Sequence, residues 1–140
     1  MLGHFLEQLH AWGLDPRNHN AAFESFAGNI SAKDLITQEL FTDFLSNIKQ
    51  SGYTATSGQL DELQTSLMKL KLALHSETES VAMGDFWMGN VLINRGDQNR
   101  LKDIFVIDWE FVNMAPIWLD VGNFIGELFL ISYFEGTDDS

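Results

Sequence analysis

The residues of this chain best placed to do chemistry are Asp85, Asn90 and Asp108. Asp85 and Asn90 stand in Met83-Gly84-Asp85-Phe86-Trp87-Met88-Gly89-Asn90, and Asp108 follows Asn90 by eighteen residues, in Ile107-Asp108-Trp109-Glu110. A carboxylate, an amide five residues on and a second carboxylate ending an apolar run form a set that phosphoryl transfer from a nucleotide needs. One carboxylate orients and deprotonates the attacking hydroxyl, while the amide oxygen and the other carboxylate hold Mg²⁺ on the phosphates. Mg²⁺ takes a few hard oxygen ligands and keeps waters, so one Asp and one Asn suffice. Asp85 is therefore the candidate base, and Asn90 and Asp108 the candidate metal ligands. Plainer readings stand beside these. Asp85 after a glycine can cap a turn, and Asn90 after Gly89 can adopt left-handed geometry. Asp108 follows four apolar residues, where a lone carboxylate is costly unless paired or metal-bound. Glu110 points to the same side as Asp108 if the chain stays extended, either as a second ligand or as an exposed charge.

Three tryptophans and two histidines are less specific. Trp87, Trp109 and Trp118 could meet a substrate amine through cation–π contact or simply fill the core. Trp87, inside the loop, is the best placed of the three. His10 and His75 each end a helical apolar face, where they complement the helix dipole. Asn29-Ile30-Ser31 matches a glycosylation sequon by pattern alone.

The elements that must position Asp85, Asn90 and Asp108 follow from periodicity. Leu2, Phe5, Leu6, Leu9 and Trp12 have helical spacing over residues 2–12, with Gly13 as a stop. Residues 14–20, with Pro16 and two Asn, read as a loop, and 21–27 as a short helix. Ser31 opens a helix whose apolar face runs from Leu35 to Ile48 and ends near Gly52. Residues 53–58 read as a polar turn, and Leu60 to Leu74 mark another long helix, to about His75. The pattern then changes. Val81-Ala82-Met83 leads into the loop, and residues 91–93 and 104–107 form a hairpin around Gly96-Asp97-Gln98-Asn99. An apolar helix over about 119–134 and the acidic Asp138-Asp139-Ser140 end the chain. The fold class is α+β and mostly helical, a single domain over 1–140.

Composition bounds the function. With 140 residues, 45% hydrophobic content, 11 Phe and 4 Trp, the chain can bury a core. It has no Cys, which removes disulfides, thiolate metal sites and a thiol nucleophile and suits a reducing, cytoplasmic setting. The start lacks the features of a secretory signal, and no segment has the apolar length of a membrane span. A net charge of −12 excludes nucleic acid as a partner. It suits a cationic small molecule, or else serves solubility alone.

The ordered motifs resemble the kinase-like phosphotransferases of the aminoglycoside phosphotransferase and choline kinase group. The matching residues are Met83 to Ile93, Val106 to Phe111, Pro116 and Leu119-Asp120-Val121-Gly122, and Leu2 to His10 is similar to the first helix after the interlobe hinge. The family usually reads His-Gly-Asp and often has Pro before Gly-Asn; here Met83 and Met88 replace those residues. Met83 can fill the histidine's volume but cannot make its hydrogen bond. The resemblance implies the C-terminal, helical lobe of a kinase-like fold, with the hairpin carrying catalytic and metal sites. It implies Mg²⁺ and ATP as cofactors and a small-molecule hydroxyl as acceptor. Asp120 takes the place of a structural Asp that holds the catalytic loop by accepting backbone N–H bonds, and is also a reasonable helix N-cap.

The family's smaller lobe has no counterpart here. The sequence contains no Gly-x-Gly-x-x-Gly, and none of its five Lys follows a Val-Ala-Ile-like strand. The adenine hinge is expected before Met1 and the pocket-closing helices after Ser140. Two readings follow: a partial phosphotransferase domain, inactive alone, or a truncated or relic domain that serves as a binding module. An unrelated helical interaction domain is a third. The acceptor and the oligomeric state are not legible.

Overall fold

The computed structural model describes residues 1–52 and 54–135. Tyr53, in the expected turn, and the acidic Asp138-Asp139-Ser140 lie outside the described residues. The elements run α1 (Leu2–Leu14), α2 (Pro16–Phe26), α3 (Ile30–Thr37), α4 (Phe44–Gln50), α5 (Ser57–Ser76), β1 (Ser80–Ala82), β2 (Val91–Arg95), β3 (Leu101–Val106), β4 (Asn113–Ala115) and α6 (Trp118–Glu135). The described chain is mostly helical, with two small antiparallel sheets, β1–β4 and β2–β3.

Several helix ends differ from the sequence expectation, each for a local reason. Most of the supposed loop at 14–20 is the opening of α2. Pro16 lies at its start, where a missing N–H costs nothing, and Asp15 caps it by accepting the Arg17 N–H at 2.9 Å. The Arg17 side chain on Asp15 also holds that carboxyl below its usual range. Gly13 does not stop α1. It lies inside the helix, because a Cβ there would collide with Ser80 Oγ and the Val81 backbone of β1. Asn29, rather than Ser31, caps α3, accepting the Ala32 N–H at 3.4 Å. α5 begins at Ser57 on a capping box between Thr56 and Gln59.

The expected single helix from Ser31 is interrupted. Gln38–Asp43 is π-helical and joins α3 to α4. The Gln38 Nε2 donates to Asp43 Oδ1 at 2.7 Å across five residues. The wider turn brings Ile36 and Phe41, five apart, into one core, where α-helical spacing would separate them.

β1 is the hub. Its sequence is too short to show a period, yet all three of its residues are buried. Ala82 enters the cluster of Ile36, Phe41, Leu67, Leu74 and Leu119. Val81 packs with Ala22 and Met114. Met83, just beyond the strand, is fully buried with Leu6 and Phe86. β4, which periodicity did not reveal, pairs Val81 with Met114. The hairpin forms near its expected place, with Val91 opposite Val106 and Ile93 opposite Ile104.

Candidate active site

The loop between β1 and β2 carries Asp85 and is held from several directions. Asp120, fully buried in the first turn of α6, accepts the Gly84 N–H on Oδ1 at 2.9 Å and the Met83 N–H on Oδ2 at 3.0 Å. His10 Nε2 lies 2.9 Å from the same Oδ2. A carboxylate only accepts, so His10 carries its proton on Nε2. Asn123, one turn beyond Asp120, donates Nδ2 to the Gly84 carbonyl at 3.2 Å. Gly84 itself has φ +87, and a Cβ there would lie 2.5 Å from the Phe111 carbonyl oxygen. No other residue fits that turn without strain. The Phe111 turn is tied in its own right: Asn29 Nδ2 donates to the carbonyls of Glu110 and Val112 at 2.9 Å each.

Asp85 and Asn90 are in direct contact. Asn90 Nδ2 donates to the Asp85 Oδ2 and to the Asp85 carbonyl, both at 3.0 Å. With its N–H₂ engaged, the amide of buried Asn90 is left with Oδ1, a hard acceptor. Its backbone carbonyl receives the Ile107 N–H at 3.0 Å, which sets Asn90 against the residue preceding Asp108. Asp108 is exposed and has φ 65, left-handed backbone that Asp tolerates better than most residues. An amide oxygen and a carboxylate at adjoining ends of one hairpin suit Mg²⁺ with phosphate and water completing its shell. No group of three or more His, Cys, Asp or Glu residues that could hold a metal exists among the described residues.

Other expected positions are distributed differently. The chain does not stay extended after Asp108. It turns at Glu110 and Phe111, so the alternation that would aim Glu110 alongside Asp108 does not apply, and Glu110 is exposed. Trp109 packs against the Leu6, Met83 and Phe86 cluster, edge-on to Phe5, with Nε1 donating to the Val106 carbonyl. Trp118 packs on the main core. Trp87 is 40% exposed and folds over Gly89, whose Cβ would run into the indole. It lines a cavity of about 570 Å³ together with Asp85.

His10 overturns the dipole reading. It is buried, short of the last turn of α1, and bonded to Asp120. Its signal was its place on the stripe Leu6–His10–Gly13, the buried face of α1. Asn123 was also missed. Its signal was the three-residue spacing from Asp120, which puts both side chains on one helix face. His75 lies in the last turn of α5, where its Nε2 is 2.9 Å from Thr37 Oγ1.

A loop aspartate bonded to a neighbouring asparagine, braced from a core helix and followed by a hairpin ending in Asp, is the arrangement of a kinase-like phosphotransferase. Residues 4–129 match the profile of the ecdysteroid kinase-like family, and the chain belongs to that family. It is similar to 4-hydroxytryptamine kinase of Psilocybe cubensis, 31% identical over 96% of this chain and 36% of that protein. The same enzyme of Psilocybe cyanescens is 28% identical over 96% of this chain and 36% of its own length. Methylthioribose kinase of Escherichia coli O45:K1 (strain S88 / ExPEC) is 27% identical over 87% of this chain and 29% of its own length. The chain therefore spans about a third of the curated relatives it matches. These matches support kinase-like phosphotransfer broadly and do not single out the aminoglycoside or choline branch. No helix among the described residues is long and apolar enough to cross a membrane.

Proposed function

We propose that this site belongs to a phosphotransferase moving the γ-phosphoryl group of ATP to a hydroxyl of a small molecule. The observation that carries the reading is the Asp85–Asn90 contact on a loop braced by Asp120. Asp85 accepts a hydrogen bond from the acceptor hydroxyl and takes its proton as the new bond to phosphorus forms. Asn90 Oδ1 and Asp108 would hold Mg²⁺, which supplies charge neutralisation on the phosphates when bound. Asp120 and His10 position the loop from the buried side, and Asn123 holds the Gly84 carbonyl. The strongly acidic sequence, and two relatives named for a hydroxytryptamine, support a cationic acceptor. The absence of cysteine supports a cytoplasmic setting.

Residues 1–140 are best read as most of the larger lobe, with nucleotide clamping supplied by a second lobe that this sequence does not contain. Phosphoryl transfer depends on positioning and charge stabilisation, and misplacement by about 1 Å can cost about a hundredfold. The chain alone is therefore expected to turn over negligibly while binding Mg²⁺ weakly, on the order of a millimolar. The test incubates the purified chain with Mg²⁺-ATP and a panel of amino alcohols, phenols and sugar alcohols, and titrates Mg²⁺ separately. Acceptor phosphorylation above an Asp85→Ala control would show the chain to be sufficient and refute the one-lobe reading. Mg²⁺ binding unchanged by Asp108→Ala would remove the metal assignment. In a protein holding both lobes, Asp85→Ala should lower turnover by about 10²–10⁴-fold with little loss of nucleotide affinity.

A further inference from the structure

Two cavities open beside Asp85, away from the hairpin. The smaller, about 230 Å³, is lined by Ile36, Glu39, Leu40, Gly84, Phe111 and Asn123 in addition to Asp85. The larger, about 570 Å³, shares Leu40, Asp85 and Asn123 with it and adds Trp87 and Glu127. The charged residues lining this double cavity are Glu39, Asp85 and Glu127, with no Lys, Arg or His among them. Phosphates would be repelled from such a space, and a cation would be drawn to it. Apart from Asn123 and backbone at glycines, the remaining lining is apolar or aromatic, as a small organic scaffold requires.

We propose that Glu39 is the residue that recognises a protonated amine on the acceptor, and that the acceptor is a compact hydroxylated aromatic or aliphatic amine. This deepens the reading of Asp85 as the acceptor-side base and rests on it. Glu39 owes its position to the π-helical segment. There Glu39 and Leu40 line the cavity, beside Ile36 of α3, while Phe41 turns into the core. π-Helical turns persist mostly where a functional demand outweighs their poorer geometry. Glu39 makes no ion pair among the described residues, so its charge is not neutralised by the chain. The amine would stand at Glu39, the ring or chain against Leu40 and Phe111, and the hydroxyl at Asp85. Glu127, in the wider cavity, remains a general contributor to the negative field.

The test needs no nucleotide. The chain is titrated by NMR with tyramine and with 4-ethylphenol, which keeps the ring and hydroxyl but lacks the amine. Tyramine should bind roughly fivefold more tightly, the effect of one partly exposed charge pair, with the advantage shrinking at high salt. Glu39→Gln should erase that advantage and leave 4-ethylphenol unchanged, while Glu127→Gln should keep it. Equal affinities in the wild type, an advantage that survives Glu39→Gln, loss through Glu127→Gln instead, or no saturable binding of either compound would each overturn the proposal. The phosphotransfer reading fails by different results: Asp85→Ala turnover equal to wild type in a two-lobed protein, or Mg²⁺ binding indifferent to Asp108.

Discussion

The two sides of Asp85 are built differently. On the loop side, β1 and the α6 residues Leu119 and Asp120 are buried, and the backbone of Met83 and Gly84 is held by Asp120 and Asn123. On the hairpin side, Leu92, Ile93 and Phe105 are each more than half exposed, and Asp108 stands in the open. One backbone bond, Ile107 N–H to the Asn90 carbonyl, extends the hairpin ladder toward the site. Asp85 is thus positioned by the core of this chain, whereas Asp108 stands at the end of a ribbon with little cover. A two-stranded ribbon alone is marginal in water. Placing Asp85 depends on long-range packing, and presenting Asp108 depends on a local hairpin, so damage to one should leave the other largely intact.

The largest effect should come from Asp120→Ala. It removes the acceptor of two buried N–H groups and strands His10 in the core. Losing one partner of such a buried network costs about 3–5 kcal/mol. The variant should melt far below wild type, and the Met83 and Gly84 amides should lose hydrogen-exchange protection before those of β2 and β3. Equal loss in both regions would dissolve the distinction between them. His10→Gln, which can still donate to Asp120, should cost clearly less.

Gly84→Ala comes next. Its φ of +87 and the nearby Phe111 carbonyl oppose a Cβ together. The expected cost is about 2–3 kcal/mol, read from denaturant midpoints. The loop must shift, so Asp85 moves relative to Asn90. A variant as stable as wild type would mean that the loop is not clamped against the Phe111 turn.

Legibility in the sequence followed the same division. Asp85, Asn90 and Asp108 stood out because their chemistry is local and their order characteristic, and the hairpin showed its own period. The brace was mostly hidden. His10 and Asp120 are 110 residues apart, and nothing in a single sequence pairs them. β1 and β4 have three residues each, fewer than alternation needs to become visible. Pro16 misled because the same residue marks loops and helix starts, and only Asp15 before it decides between them. The π-helical segment was hidden because its apolar residues also satisfy an α-helical face, and its register shift becomes apparent only when Phe41 meets Ile36 in the core.

The smallest effect, and the sharpest probe of the exposed side, should be Asp108→Gly. Asp108 holds φ 65, where a side chain is mildly strained and glycine is not. Its carboxylate has no hydrogen-bond or ion-pair partner among the described residues, so no native contact is lost. Relief of strain, offset by glycine's greater freedom in the unfolded chain, should leave stability within about 0.5 kcal/mol of wild type, on the favourable side. Function should move the other way. A site that binds Mg²⁺ at about a millimolar gains roughly 1.4 kcal/mol at about 10 mM by mass action, a rise of a few degrees in melting temperature. Wild type should show that rise and Asp108→Gly should not, although its melting temperature without metal is equal or slightly higher. A marked loss of stability would mean that Asp108 braces the fold as Asp120 does. A retained Mg²⁺ response would place the ion elsewhere.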